Sequence, residues 1–254
     1  MEAMVVAGRQ VNRGQIHFFR KIDLFGQQDE LVKAIVALGK PVVVYLMNGR
    51  PLSINYIAKN VPAIIEGWYM GQETGTAAAD IIFGDVNPSG KLTITVPKSA
   101  GQLPMYYNFK PSAQMNEYLS QDNLPLYNFG FGLSYSKFRI DNLKLEKVKI
   151  RKNGSTKVKV DVTNTGKFTG DEIVQLYIRD KVSSVTRPVK ELKGFKRVSL
   201  KPKETKTVTL EITPEQLAFH NIDMKYVVEP GEFEIMIGNS SRDEDLIRTT
   251  LLVY

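Results

Sequence analysis

The chain has 254 residues, 43% hydrophobic, 24% charged and 9% aromatic, with a formal charge of +7. That composition excludes disorder, collagen and coiled coil, and no apolar run approaches the roughly 18 residues of a membrane helix. With no cysteine, the chain offers no disulfide framework, no thiolate zinc site and no cysteine nucleophile.

The first half alternates strand-like and helix-like segments. The opening MEAMVVAG carries an acid where a signal peptide needs basic residues, so no leader is expected and the compartment stays open. Met4–Ala7 reads as a short strand. Gln27–Leu38 reads as a helix, with Leu31, Ala34, Ile35 and Leu38 at three- and four-residue spacing and Gly39 as its stop. PVVVYLM at 41–47 is a near-continuous apolar run, the pattern of a strand covered on both faces. A short helix follows at Ile54–Lys59, a second buried strand at Pro62–Trp68, a helix at Gln72–Phe83 and a third strand at Leu92–Val96. Strand, helix and strand in repetition predict an α/β layer with a mostly parallel sheet.

Residues 98–135 have no periodicity but hold Tyr106, Tyr107, Phe109, Tyr118, Tyr127, Phe129, Phe131 and Tyr135. Disordered linkers avoid aromatics, so an ordered connector is expected. From Phe138 onward short alternating strands take over: Lys147–Ile150, Lys157–Val162, Ile173–Ile178, Lys196–Leu200, Thr205–Ile212, Glu232–Ile237 and Leu246–Val253. Asn153-Gly154, Thr165-Gly166, Pro202, Pro230-Gly231 and Gly238-Asn239 separate them, which predicts an all-β immunoglobulin-like sandwich. The expected organisation is therefore an α/β domain over 1–97, a connector over 98–135 and a sandwich over 136–254.

The positive charge is uneven: residues 136–254 hold 23 basic and 17 acidic residues, against 11 and 10 before them. Much of the excess is lysine alternating with apolar residues over 144–159, which places it on the solvent face of strands. With neither arginine nor exposed aromatics interleaved in quantity, this pattern predicts no nucleic-acid binding. His17 and His220 have no metal-ligand spacing, no phosphate-binding glycine motif is present, and no metal is expected. The strand ends leave Glu66, Glu73 and Arg50 as candidates. The glutamates suit a general acid or a hydroxyl-binding carboxylate. Against that, Gln72-Glu73 opens a helix, where an acid is favoured by the dipole alone. Arg50 suits an anionic group or a neighbouring carboxylate.

The runs KPVVVYLMNGRP at 40–51, AIIEGWYMGQETG at 63–75, IFGDVNPSGKLTITVP at 82–97 and LYNFGFGLSY at 126–135 resemble the C-terminal half of glycoside hydrolase family 3. Thr163–Gly166, Val174–Asp180 and Arg187–Phe195 resemble its fibronectin type III-like terminal domain. Within that family the pattern is most similar to the bacterial periplasmic β-glucosidase type, whose members are often periplasmic or secreted. The resemblance implies retaining hydrolysis of β-linked glucosides or xylosides, without an organic cofactor, and a nucleophile on a barrel that has no counterpart in this sequence. It also implies a glutamate acid/base ahead of a turn that Arg20, Ile22-Asp23-Leu24, Phe25 and Gly26 match. Ungapped counting puts Ile16 at the acid/base position and Arg9 at that of an earlier glutamate. No acidic residue occurs anywhere from Arg9 to Lys21.

Two readings follow. One is the C-terminal part of a glycosidase, inactive alone, with no catalytic residue of its own and with Glu73 and Arg50 as substrate-binding candidates. Its partners would be a β-linked glycoside once the barrel is supplied, a barrel-bearing chain, or a second copy. The other is a non-catalytic module binding sugar or a partner.

Overall fold

The computed structural model describes residues 3–8, 22–111 and 123–254. The chain divides into two compact units, one of Met1–Phe83, Ile94–Met105 and Asn116–Tyr127, the other of Gly84–Thr93, Tyr106–Met115 and Asn128–Tyr254.

The first unit holds a three-stranded sheet in the order β1-β2-β3, formed by β1 (Ala3–Gly8), β2 (Val42–Met47) and β3 (Ala63–Glu66). Helix α1 (Gln28–Val36) lies between β1 and β2 in the chain, α2 (Asn55–Asn60) between β2 and β3, and α3 (Thr74–Phe83) after β3. Both ladders are parallel, as crossover helices require. Val42, Val44, Tyr45 and Leu46 of the central strand are buried, and a core of Val32, Val42, Val44, Leu46, Leu52, Ile54 and Ile57 packs around it. The next strand departs from expectation. β3 is an edge strand of only four residues with its isoleucines half-buried, and the apolar α3 behind it buries only Ala78, leaving Phe83 82% exposed.

Leu92–Val96 is not a strand. Val96 forms an isolated bridge with Tyr127, and Leu92 exchanges backbone bonds with Phe131 and Gly130. The apolar alternation is real, but its backbone groups are satisfied by the aromatic connector instead of a sheet.

The second unit is a sandwich. Its five-stranded sheet runs β5-β13-β12-β7-β8 and its three-stranded sheet β4-β6-β9. In chain order these are β4 (Phe138–Leu145), β5 (Lys149–Ile150), β6 (Thr156–Asn164), β7 (Gly170–Asp180), β8 (Glu191–Leu200), β9 (Thr205–Ile212), β12 (Gly231–Gly238) and β13 (Leu246–Val253). A one-turn helix α4 (Pro214–Leu217) and a small hairpin of β10 (Phe219–His220) and β11 (Tyr226–Val227) intervene before β12. Every ladder here is antiparallel except β5 on β13, so over the described residues the sheets are mixed and mostly antiparallel. Val158, Val160, Val162, Leu176, Phe233, Ile235 and Leu251, alternating inward from both sheets, form the core.

Segments 84–93 and 128–135 are stitched onto this sandwich. Asn87 Nδ2 donates to Thr169 O at 2.9 Å, while its Oδ1 accepts from Ser134 Oγ and Tyr135 N. Lys91 Nζ lies 2.8 Å from the buried Glu172 Oε1 and donates to Gly132 O. A side chain at Gly132 would collide with the carbonyl of Gly90, so only glycine fits there. No helix among the described residues is long and apolar enough to cross a membrane.

Candidate functional site

The carboxyl ends of β2 and β3 lie side by side because Leu46 pairs with Glu66. In open α/β sheets this is where ligands bind. Past β2 the chain runs through Asn48-Gly49-Arg50, and past β3 through Gly67-Trp68-Tyr69. Asn48 continues the inward alternation of Val44 and Leu46 and is 1% exposed. Its Nδ2 donates to Arg50 O at 2.7 Å and, more weakly, to Glu66 Oε2 at 3.4 Å. Trp68 N donates to Glu66 Oε1 at 3.1 Å, and Gly67 N to Leu46 O at 2.9 Å. The bond to Glu66 goes with a left-handed Trp68, φ 51°, an uncommon conformation for a bulky residue. Gly67 abuts the Tyr45 hydroxyl and Gly49 the Tyr69 ring, so a side chain at either would displace an aromatic.

The structure thus links Glu66 to the loop of half-buried Arg50 through Asn48. Glu73 it places elsewhere: exposed at the start of α3, accepting from Thr76 Oγ1 at 3.0 Å, with its carbonyl taking Ala77 N. Sequence reasoning missed Asn48, although an amide one residue past an apolar run, in register with inward residues, was the available signal. Ile16 and Arg9 lie outside the described residues. Phe25 is exposed beside Gly26, whose φ of 62° makes the turn. Among the described residues no three His, Cys, Asp or Glu side chains gather as a metal site.

Burial pushes the Glu66 carboxyl above its ordinary value of 4.5, and the bonds from Trp68 and Asn48 only partly offset this. A raised native pKa means that the folded chain binds the proton more tightly. The stability it contributes is complete below pH 4.5 and is lost as pH rises through the native pKa. Glu66→Gln carries no charge to desolvate, and its amide can donate to Asn48 Oδ1, a buried atom with no hydrogen-bond partner among the described residues. The variant is expected to be more stable than wild type at pH 8, by on the order of 1 kcal/mol after solvent screening, with the gain vanishing at pH 4. Urea midpoints at the two pH values check this, and an equal difference at both would contradict it.

Chemically, this site is a half-buried hydrogen-bond acceptor held by neutral donors, and among the described residues no second carboxylate is bonded to it. Residues 3–135 match the model of the glycosyl hydrolase family 3 C-terminal domain, and residues 172–241 that of the fibronectin type III-like domain. A β-xylosidase of Formosa agariphila is 53% identical over 235 residues, covering 91% of this chain and 32% of that protein. A periplasmic β-glucosidase of Salmonella typhimurium is 45% identical over 224 residues, covering 84% and 29%. The crystal structure of a β-glucosidase from Listeria innocua in complex with glucose superposes with a TM-score of 0.93 at 36% identity, over 99% of this chain and 36% of that one. The chain spans about a third of the length of the relatives it matches.

Proposed function

The chain belongs to glycoside hydrolase family 3, and from that premise we propose that it is the C-terminal part of a β-glycosidase acting on β-linked glucosides or xylosides, inactive by itself. Its division is an α/β part over 1–97, a connector over 98–135 and a sandwich over 136–254. The strands β1 to β3 belong to a larger, mostly parallel layer. Glu73, at the start of α3, and Arg50, past β2, bind substrate hydroxyls, and the nucleophile comes from a barrel outside these 254 residues. The exposed Leu31 and Phe83 favour a covering partner, a barrel-bearing chain or a second copy, over this layer.

One observation carries the inactivity. Retaining hydrolysis needs two carboxyl groups about 5 Å apart, one of them an acid/base. The segment where the family resemblance puts that acid/base, Arg9 to Lys21, holds no acidic residue, and Ile16 at the matching position cannot give up a proton. The test is covalent trapping. Incubated with a 2-fluoro aryl β-glucoside and the corresponding xyloside, the purified chain is expected to keep its mass. A glycosyl adduct on any Asp or Glu would overturn the proposal and identify the nucleophile.

A further inference from the structure

The outer face of the five-stranded sheet carries a cleft of about 400 Å³. On its floor Arg179 of β7 stands directly opposite Glu234 of β12, beside the buried Met236. Phe109 forms one wall, with 49% of its surface open. Its segment is fixed by backbone and ring contacts. Val189 N donates to Phe109 O at 3.0 Å, Leu192 N donates to the Tyr107 hydroxyl at 3.2 Å, and Tyr107 stacks on Phe129 at 4.1 Å. The lining also holds a closed ion triad, in which Asp243 Oδ1 accepts from Lys190 Nζ and Arg248 Nη2, both at 2.6 Å.

Opposite charges facing each other across an antiparallel ladder ordinarily pair. Arg179 and Glu234 do not: neither side chain makes a hydrogen bond or ion pair with the other or with any described residue. A five-donor planar cation and an acceptor-only carboxylate are left side by side in a concave site, next to an open aromatic ring. The occupant that satisfies this set must offer donors and acceptors close together and also an apolar face. An anion would gain Arg179 but meet Glu234, and a cation would gain Glu234 but meet Arg179. A neutral sugar ring meets all three conditions. One hydroxyl accepts from the guanidinium, its neighbour donates to the carboxylate, and the C–H face covers Phe109.

We propose that this cleft is a non-catalytic binding site for a neutral saccharide residue. The choice of β-linked probes rests on the glycosidase reading; the geometry of the site does not. The 254-residue chain is titrated calorimetrically with xylotetraose, cellotetraose and tri-galacturonate. Saturable binding of a neutral tetrasaccharide is expected, weakened at least tenfold in Phe109→Ala and in Arg179→Gln, with melting temperatures near that of wild type. Phe109→Leu, which keeps the bulk and loses the aromatic face, is expected to weaken binding as well. Absent binding in wild type, or undiminished binding in the folded variants, would overturn the proposal. So would tri-galacturonate binding more tightly than the neutral sugars, which would indicate an anion site. Hydrolysis of a probe would overturn the inactivity of the isolated chain and leave this site untouched.

Discussion

Lys91→Met is expected to destabilise the sandwich unit by about 3–5 kcal/mol, the usual consequence of leaving a buried charge without its partner. Glu172 is 3% exposed, and Lys91 Nζ is its only cationic partner among the described residues, at 2.8 Å. The other groups on Glu172, Ile173 N at 2.8 Å and Asn239 Nδ2 at 3.2 Å, are neutral donors and cannot cancel its charge. Methionine keeps the packing of the lysine stem but also leaves Gly132 O without its donor. The double variant Lys91→Met/Glu172→Gln removes both charges and should recover much of the loss, because a buried pair contributes little net stability over a neutral replacement. Urea midpoints of wild type, Lys91→Met and the double variant check this. A double variant no better than Lys91→Met would show that packing, not charge, sets the cost.

Asn164→Ala is expected to cost about 3 kcal/mol. Asn164 is fully buried and uses both ends of its amide. Its Oδ1 accepts from Ser136 Oγ at 2.7 Å and Gly166 N at 2.9 Å, and its Nδ2 donates to Phe168 O at 2.7 Å and Leu200 O at 3.0 Å. Alanine would remove all four bonds, leaving the Ser136 hydroxyl and Phe168 O only their bond to each other. Asn164→Asp should be worse still, since it places a carboxylate against the carbonyls of Phe168 and Leu200. Thermal melts of both variants decide this, and an aspartate variant as stable as wild type would contradict it. Gly166 completes the motif because a side chain there would meet the Ser136 hydroxyl and Lys137 N.

These two networks explain what was legible in the sequence and what was not. The family-like runs were visible as letters, and the structure gives them physical content. Asn87 and Lys91 of one run and Gly132 and Ser134 of another are bonded to each other or to shared partners. Glu172 and Thr169, which complete the set, lie far along the chain and no local pattern points to them. Central strand β2 was legible because burial on both faces writes a continuous apolar run. Strand β4 was not, because a register shift between Asp141 and Lys144, with Asn142 at φ 56°, breaks its alternation. The start of β8 was hidden in a similar way, since its residues from Glu191 to Gly194 are all half-buried and show no period of two. At the strand ends, Arg50 and Glu73 were visible as charges. Glu66 proved to be the group tied into the backbone, through an asparagine whose importance depends on burial alone.

The central claim is that this family 3 chain carries architecture and no complete catalytic pair. Hydrolysis of aryl β-glucoside and aryl β-xyloside by the purified 254-residue chain tests it most directly, with a mock purification as baseline. Release of the aryl group at the mock rate is the expected result. Turnover above the mock that disappears in Glu66→Gln or Glu73→Gln would contradict the claim and place a working carboxylate at the end of β3 or at the start of α3.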